Sequence, residues 1–121
     1  MKRRVLIIDD NEQDRKAMLI ALKKDGYHDI ALAETGDQGI ETAKTFKPEV
    51  VVIDVVLTTL DDGLDVCRKI KAIEGLETSV IIITGHLEAI NAAKARTSGA
   101  SEIIQKTEGF KNISQTIENL T

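Results

Sequence analysis

The chain has no tryptophan, one tyrosine, two phenylalanines, one cysteine and one proline. Each shortage excludes something. With so few aromatic residues, the core has to be built from Ile, Val, Leu and Ala. The lone Cys67 cannot close an internal disulfide, which fits a reducing cytoplasm. It stands between Val66 and Ile70 at helical spacing and reads as a buried, inert thiol. No apolar run approaches the length of a membrane span, and no signal-peptide pattern opens the chain, so membrane insertion is not expected. An excess of basic residues is missing as well. The formal charge of -4 argues against a nucleic-acid surface, because phosphate contacts need a basic stripe. Met1-Lys2-Arg3-Arg4 reads as a solvated end rather than a binding arm. No Gly-rich phosphate loop follows the first apolar run, which speaks against a nucleotide site.

What the chain does have is a set of short, β-branched apolar runs that end in polar groups. Val50-Val51-Val52-Ile53 delivers Asp54, and its length and composition read as a buried strand of a parallel sheet. Val5-Leu6-Ile7-Ile8 runs into Asp9-Asp10, Val80-Ile81-Ile82-Ile83 into Thr84-Gly85, and Ile103-Ile104-Gln105 into Lys106. In open α/β sheets, the carboxyl ends of the strands are where ligands and chemistry collect.

Between the strands lie helical patterns. Asn11 caps a first helix with Glu12 and Asp14 in its opening turn, where the helix dipole favours anions. Met18, Ala21 and Leu22 give that helix its stripe, and Gly26 stops it. A weaker strand from Asp29 to Ala33 suits a sheet edge. A second helix spans about Gln38 to Phe46 after the turn Thr35-Gly36-Asp37, and Pro48 leads into the central strand. A third carries Val66, Cys67, Ile70 and Ile73 on one face and ends at Gly75. A fourth, Ala-rich, covers Glu88 to Thr97, with Gly99 breaking it. The fifth aligns Phe110, Ile113, Ile117 and Leu120. Strand and helix alternate five times, so one α/β domain over residues 1–121 is expected, with a parallel sheet, right-handed crossovers and helices on both faces.

Asp9, Asp10 and Asp54 crowd three negative charges at adjacent strand ends, a conflict that a hard divalent cation removes. Few protein oxygens with retained waters is the pattern for Mg²⁺, which usually also binds a phosphate. Lys106 supplies a positive charge for phosphate oxygens and Thr84 a hydroxyl donor. A carboxylate can itself be a nucleophile that becomes an aspartyl phosphate, and Asp54 is the best placed for that. Asp61-Asp62 reads as turn chemistry.

In this order and spacing, VLIIDDN, VVVIDVVL with a later DG, IIITGH and GASEIIQK resemble the receiver (phosphoacceptor) domain of two-component response regulators, in its single-domain, chemotaxis-type form. The resemblance implies a flavodoxin-like doubly wound sheet of strand order 2-1-3-4-5 with five helices. It implies that Asp54 accepts a phosphoryl group from a histidine kinase, a histidine phosphotransfer protein or a small donor. Asp9, Asp10, Asp54 and the main-chain carbonyl of Val56 would hold Mg²⁺, while Thr84 and Lys106 would contact the phosphoryl oxygens. A downstream protein would read the surface made by the fourth helix, fifth strand and fifth helix. Where receivers usually carry a proline after the lysine this chain has Thr107, and where an aromatic switch residue usually stands it has Ile103. The loop after Asp54 is longer than usual and lacks proline. His86, two residues past Thr84, could tune the lifetime of the phosphate, although a solvated loop histidine is the plainer reading. His28 reads as surface. The rival functions are a degenerate receiver that only binds partners and an aspartate-nucleophile phosphohydrolase. The hydrolase needs its nucleophile after the first strand with a second acid two residues on, which Asp9-Asp10-Asn11 does not supply.

Overall fold

The computed structural model describes residues 2–54, 62–85, 97–106, 110 and 112–120. Five strands, β1 (Val5–Ile8), β2 (Ile30–Ala33), β3 (Val50–Asp54), β4 (Ser79–Thr84) and β5 (Glu102–Gln105), form one parallel sheet in the order β2-β1-β3-β4-β5. Among the described residues there are four helices: α1 (Glu12–Lys24), α2 (Gly36–Phe46), α3 (Asp62–Lys71) and α4 (Ile113–Glu118). The last of these is the fifth helix of the sequence reading. The Ala-rich helix expected over Glu88 to Thr97 lies outside the described residues except for Thr97. None of the described helices is long and apolar enough to cross a membrane.

The pleat explains how the sheet is covered. Alternate strand residues point to opposite faces. Leu6, Ile8, Val51, Ile53, Val80 and Ile82 pack with Ala43 of α2 and with Leu64, Val66, Cys67 and Ile70 of α3. Val5, Ile7, Val50, Val52, Ile81 and Ile83 pack instead with Met18 and Leu22 of α1, Tyr27, Phe110, and Ile113 and Ile117 of α4. Strands with a helical layer on each face must be apolar throughout, which is why the runs do not alternate in sequence. Tyr27 and Phe110 fill space in the α1/α4 layer, so the scarce aromatics do enter a core otherwise made of aliphatic residues.

Several boundaries differ from the sequence reading. α2 starts at Gly36 rather than Gln38, because Thr35 is its cap: the Thr35 hydroxyl accepts the Gln38 N–H at 3.1 Å. α3 ends at Lys71 rather than at Gly75. The chain there tightens into Ile73 N–H to Ile70 and Leu76 N–H to Ile73 bonds, so Ile73 packs on the core from a turn. Phe110 stands before α4 at φ 51° and Leu120 after it, so the stripe read as one helix is a helix with a packed residue at each end.

α2 lies unusually close to β1. A Cβ at Gly39 would fall 2.3 Å from Ile8 Cδ1 and 2.7 Å from Ile8 Cγ1. Gly39→Ala gains about 1 kcal/mol of helix propensity but overpacks a fully buried contact, at about 1–3 kcal/mol. We expect the variant to unfold at lower urea concentration than the parent. A higher midpoint would mean that α2 can back away from β1.

Candidate functional site

β1 and β5 are each continued for one residue by the parallel ladder. Asp9 N–H donates to the Ala33 carbonyl at 3.1 Å, and Lys106 N–H to the Thr84 carbonyl at 2.7 Å. The alternation of side chains therefore runs past the strand ends. Asp9 follows Val5 and Ile7, Asp54 follows Val50 and Val52, and Lys106 follows Ile104; all of these belong to the face that α1 covers. Asp10 and Thr84 fall on the other beat: Asp10 is exposed, and Thr84 is fully buried at the end of β4.

The consequence is a charge cluster against α1. Lys106 Nζ donates to Asp14 Oδ2 at 2.7 Å and to Asp54 Oδ2 at 2.8 Å, and stands 3.7 Å from Asp9 Oδ2. Carboxylate oxygens of Asp9, Asp14 and Asp54 all lie within 4.8 Å of one another. The sequence placed Asp10 in this group and gave Asp14 only a helix-dipole role; the structure brings in Asp14 and leaves Asp10 at the surface. The signal for Asp14 was present in the first turn of the helix that caps this end of the sheet, one turn past Asp10.

Asp9 has two anchors. Its Oδ1 accepts the Asn11 N–H at 2.9 Å, and its main-chain carbonyl accepts from Arg15 Nη1 at 2.8 Å. Arg15, which sequence reasoning did not single out, is itself buried. Asp9 Oδ2 is buried without a hydrogen-bond partner. Burial pushes the Asp9 carboxyl up to about 6; the Asn11 N–H opposes this, Asp54 adds to it, Lys106 opposes it and Asp14 adds to it. Burial acts to lower the Lys106 ammonium, but the hydrogen bonds to Asp14 and Asp54 and the charges of Asp54 and Asp9 outweigh it and hold it above the ordinary lysine range. A buried carboxylate oxygen lacking a hydrogen-bond partner, beside two more carboxylates, suits a small hard cation, so these residues fit Mg²⁺. Val56 and His86 lie outside the described residues, as does Thr107. Ile103 is partly buried and packs on the α2/α3 side of the sheet. Cys67 is buried, its thiol 3.3 Å from the Ser98 carbonyl, and burial raises its pKa. His28 is exposed.

The family model for the response regulator receiver domain matches residues 5–118. The chain belongs to the response regulator receiver family. Among curated relatives, it is 31% identical over 113 residues to the virulence-factor transcription regulator BvgA of Bordetella pertussis, covering 93% of this chain and 53% of BvgA. It is 27% identical over 106 residues to the DNA-binding response regulator MtrA of Mycobacterium tuberculosis, covering 88% of this chain and 45% of MtrA. The chain thus spans about half the length of the curated relatives it matches. The fold matches that of a CheY-like receiver domain from Methanospirillum hungatei, with a TM-score of 0.85 at 21% identity over 99% of this chain and 94% of that one. As a receiver domain, the chain is a signalling module of two-component systems, and the acidic cluster is of the kind at which receivers bind Mg²⁺. The hydrolase and degenerate-receiver alternatives are not favoured.

The raised Asp9 carboxyl makes a pH prediction. Its ordinary value is 3.8 and its folded value about 6, so the folded state holds the proton more tightly than the unfolded state. Asp9 therefore costs no stability at low pH; the penalty grows as pH rises from 3.8 to about 6 and is complete above that. In metal-free protein, Asp9→Asn should be more stable than the parent near neutral pH by on the order of 1 kcal/mol, and indistinguishable from it in acid. Melting temperatures across the acid range check this; a gain that does not depend on pH would contradict it.

Proposed function

We propose that this receiver domain accepts a phosphoryl group on Asp54 and so acts as a switch rather than as a turnover enzyme. The observation that carries the reading is the Lys106 ammonium held 2.8 Å from Asp54 Oδ2 at the end of the central strand, beside the buried Asp9. An Asp54 carboxylate oxygen attacks phosphorus, the bond from phosphorus to the donor breaks, and the donor leaves with the electron pair. With acetyl phosphate the leaving group is acetate; with a phosphohistidine it is the imidazole. This transfer needs alignment and charge neutralisation more than proton shuttling. Lys106 meets the phosphoryl oxygens as a point charge, and the Thr84 hydroxyl donates to another of them. Asp9, Asp10, Asp54 and the main-chain carbonyl of Val56 would hold Mg²⁺, with Asp14 beside them on Lys106. When bound, the ion neutralises charge on the phosphoryl oxygens.

The donor is a sensor histidine kinase or histidine phosphotransfer protein, and the setting is the cytoplasm, where the unpaired, buried Cys67 stays reduced. The receiver passes its state to a partner through the segment before Gly99, β5 and α4. That partner is a protein rather than nucleic acid, given the net charge of -4. Phosphorylation is a local charge event that biases this two-state surface. With Ile103 in place of an aromatic residue, the bias does not pass through an aromatic rotamer.

Intact mass after incubation with acetyl phosphate tests the reading. We expect one phosphoryl adduct that needs Mg²⁺ and is lost in Asp54→Ala. An adduct that persists in Asp54→Ala would place the acceptor elsewhere.

A further inference from the structure

Asn11-x-x-Asp14 has the spacing of a capping box, in which the acid at the third helical position returns a hydrogen bond to the cap's own N–H. Only half of that box is formed. The Asn11 side chain accepts the Asp14 N–H at 2.9 Å, but the Asn11 N–H is taken by Asp9 Oδ1 at 2.9 Å. The Asp14 carboxylate is thereby released from the cap and reaches Lys106 Nζ, 92 residues away in sequence. Its backbone is fixed by the helix start, its side chain is about one-third exposed, and its bond to Lys106 is as short as that from Asp54.

From this geometry we infer that Asp14 is a positioning residue that restrains phosphorylation of Asp54 by holding Lys106. The inference rests on Asp54 being the phosphoacceptor. Two effects act in the same direction. Lys106 shares its ammonium between Asp14 and Asp54, so its move onto phosphoryl oxygens competes with a formed ion pair. Asp14 also sets a full negative charge within 4.8 Å of an Asp54 carboxylate oxygen, and the acyl phosphate carries about one unit more negative charge than the carboxylate it replaces. Neutralising Asp14 relieves both. Asp14 acts through Lys106 and through its charge, so it sets how readily the phosphorylated state forms rather than performing the transfer.

The test compares the parent, Asp14→Asn and Asp14→Glu, each with acetyl phosphate at saturating Mg²⁺. Adduct formation and decay are followed by intact mass, and Mg²⁺ affinity is measured separately by calorimetry. We expect Asn at this position to form the adduct about three- to tenfold faster and to hold it longer, with the gap narrowing at high salt. Glu should stay within about twofold of the parent, since it keeps the charge. An adduct on Asp14→Asn alone, with none on the parent, would be the same restraint in its strongest form. Equal rates in all three proteins would overturn the inference and leave Asp54 as the acceptor. Slower phosphorylation in Asp14→Asn, with Mg²⁺ affinity weakened about tenfold or more, would overturn it by making Asp14 a metal ligand. No adduct on any of the three would remove the phosphoacceptor reading and this inference together.

Discussion

Three carboxylates gathered around one ammonium, at the carboxyl edge of a buried sheet, is the arrangement on which the rest of this molecule depends. Like charges at that spacing oppose folding unless a cation stands among them. Lys106 stands there, bonded to Asp14 and Asp54 and within 3.7 Å of Asp9. Its compensation is incomplete. Asp9, shut away from water with one oxygen lacking a hydrogen-bond partner, keeps a carboxyl that holds its proton to about 6. The site is thus left short of positive charge, and in the proposed function a divalent cation would make up that shortage.

The fold maintains this unfavourable arrangement by making everything beneath it rigid. The residues of β1 and the apolar residues of β3 are fully buried, and both strands are clamped between helical layers. The close approach of α2 to Ile8 at Gly39 fixes the residue just before Asp9. Arg15 pins the Asp9 carbonyl from α1, and Asn11 pins its carboxylate. Asp9 is therefore held beside Asp54 and Asp14 despite their mutual repulsion. In the proposed switch, a change of charge at Asp54 would act first on Lys106, which is bonded to it.

Much of this could be read from the chain. The five strands, their order through the family resemblance, and the strand-end positions of Asp9, Asp54, Thr84 and Lys106 follow from apolar runs that stop at polar residues. Where the structure adds to that reading or differs from it, the causes are physical. Asp10 and Asp9 are equivalent as letters, and only the pleat, carried one residue past β1 by the Asp9 N–H bond to Ala33, decides that Asp9 faces α1 while Asp10 faces solvent. Asp14 looked like a helix-dipole residue because its contact with Lys106 joins positions 92 residues apart, which no local pattern encodes. The end of α3 was overrun because Ile73 keeps its apolar contact from a turn, and periodicity cannot distinguish a packed turn from another helical residue.

Titration of the metal-free protein with Mg²⁺, followed by melting temperature and by amide shifts, addresses the charge shortage itself. A cation that binds the folded state alone raises stability in proportion to the logarithm of its concentration once the site is filled. The account predicts a saturable rise in melting temperature at near-neutral pH, with shifts concentrated at Asp9, Asp10, Asn11, Asp54 and Lys106. A melting temperature indifferent to Mg²⁺, or shifts centred away from the carboxyl edge of the sheet, would contradict it.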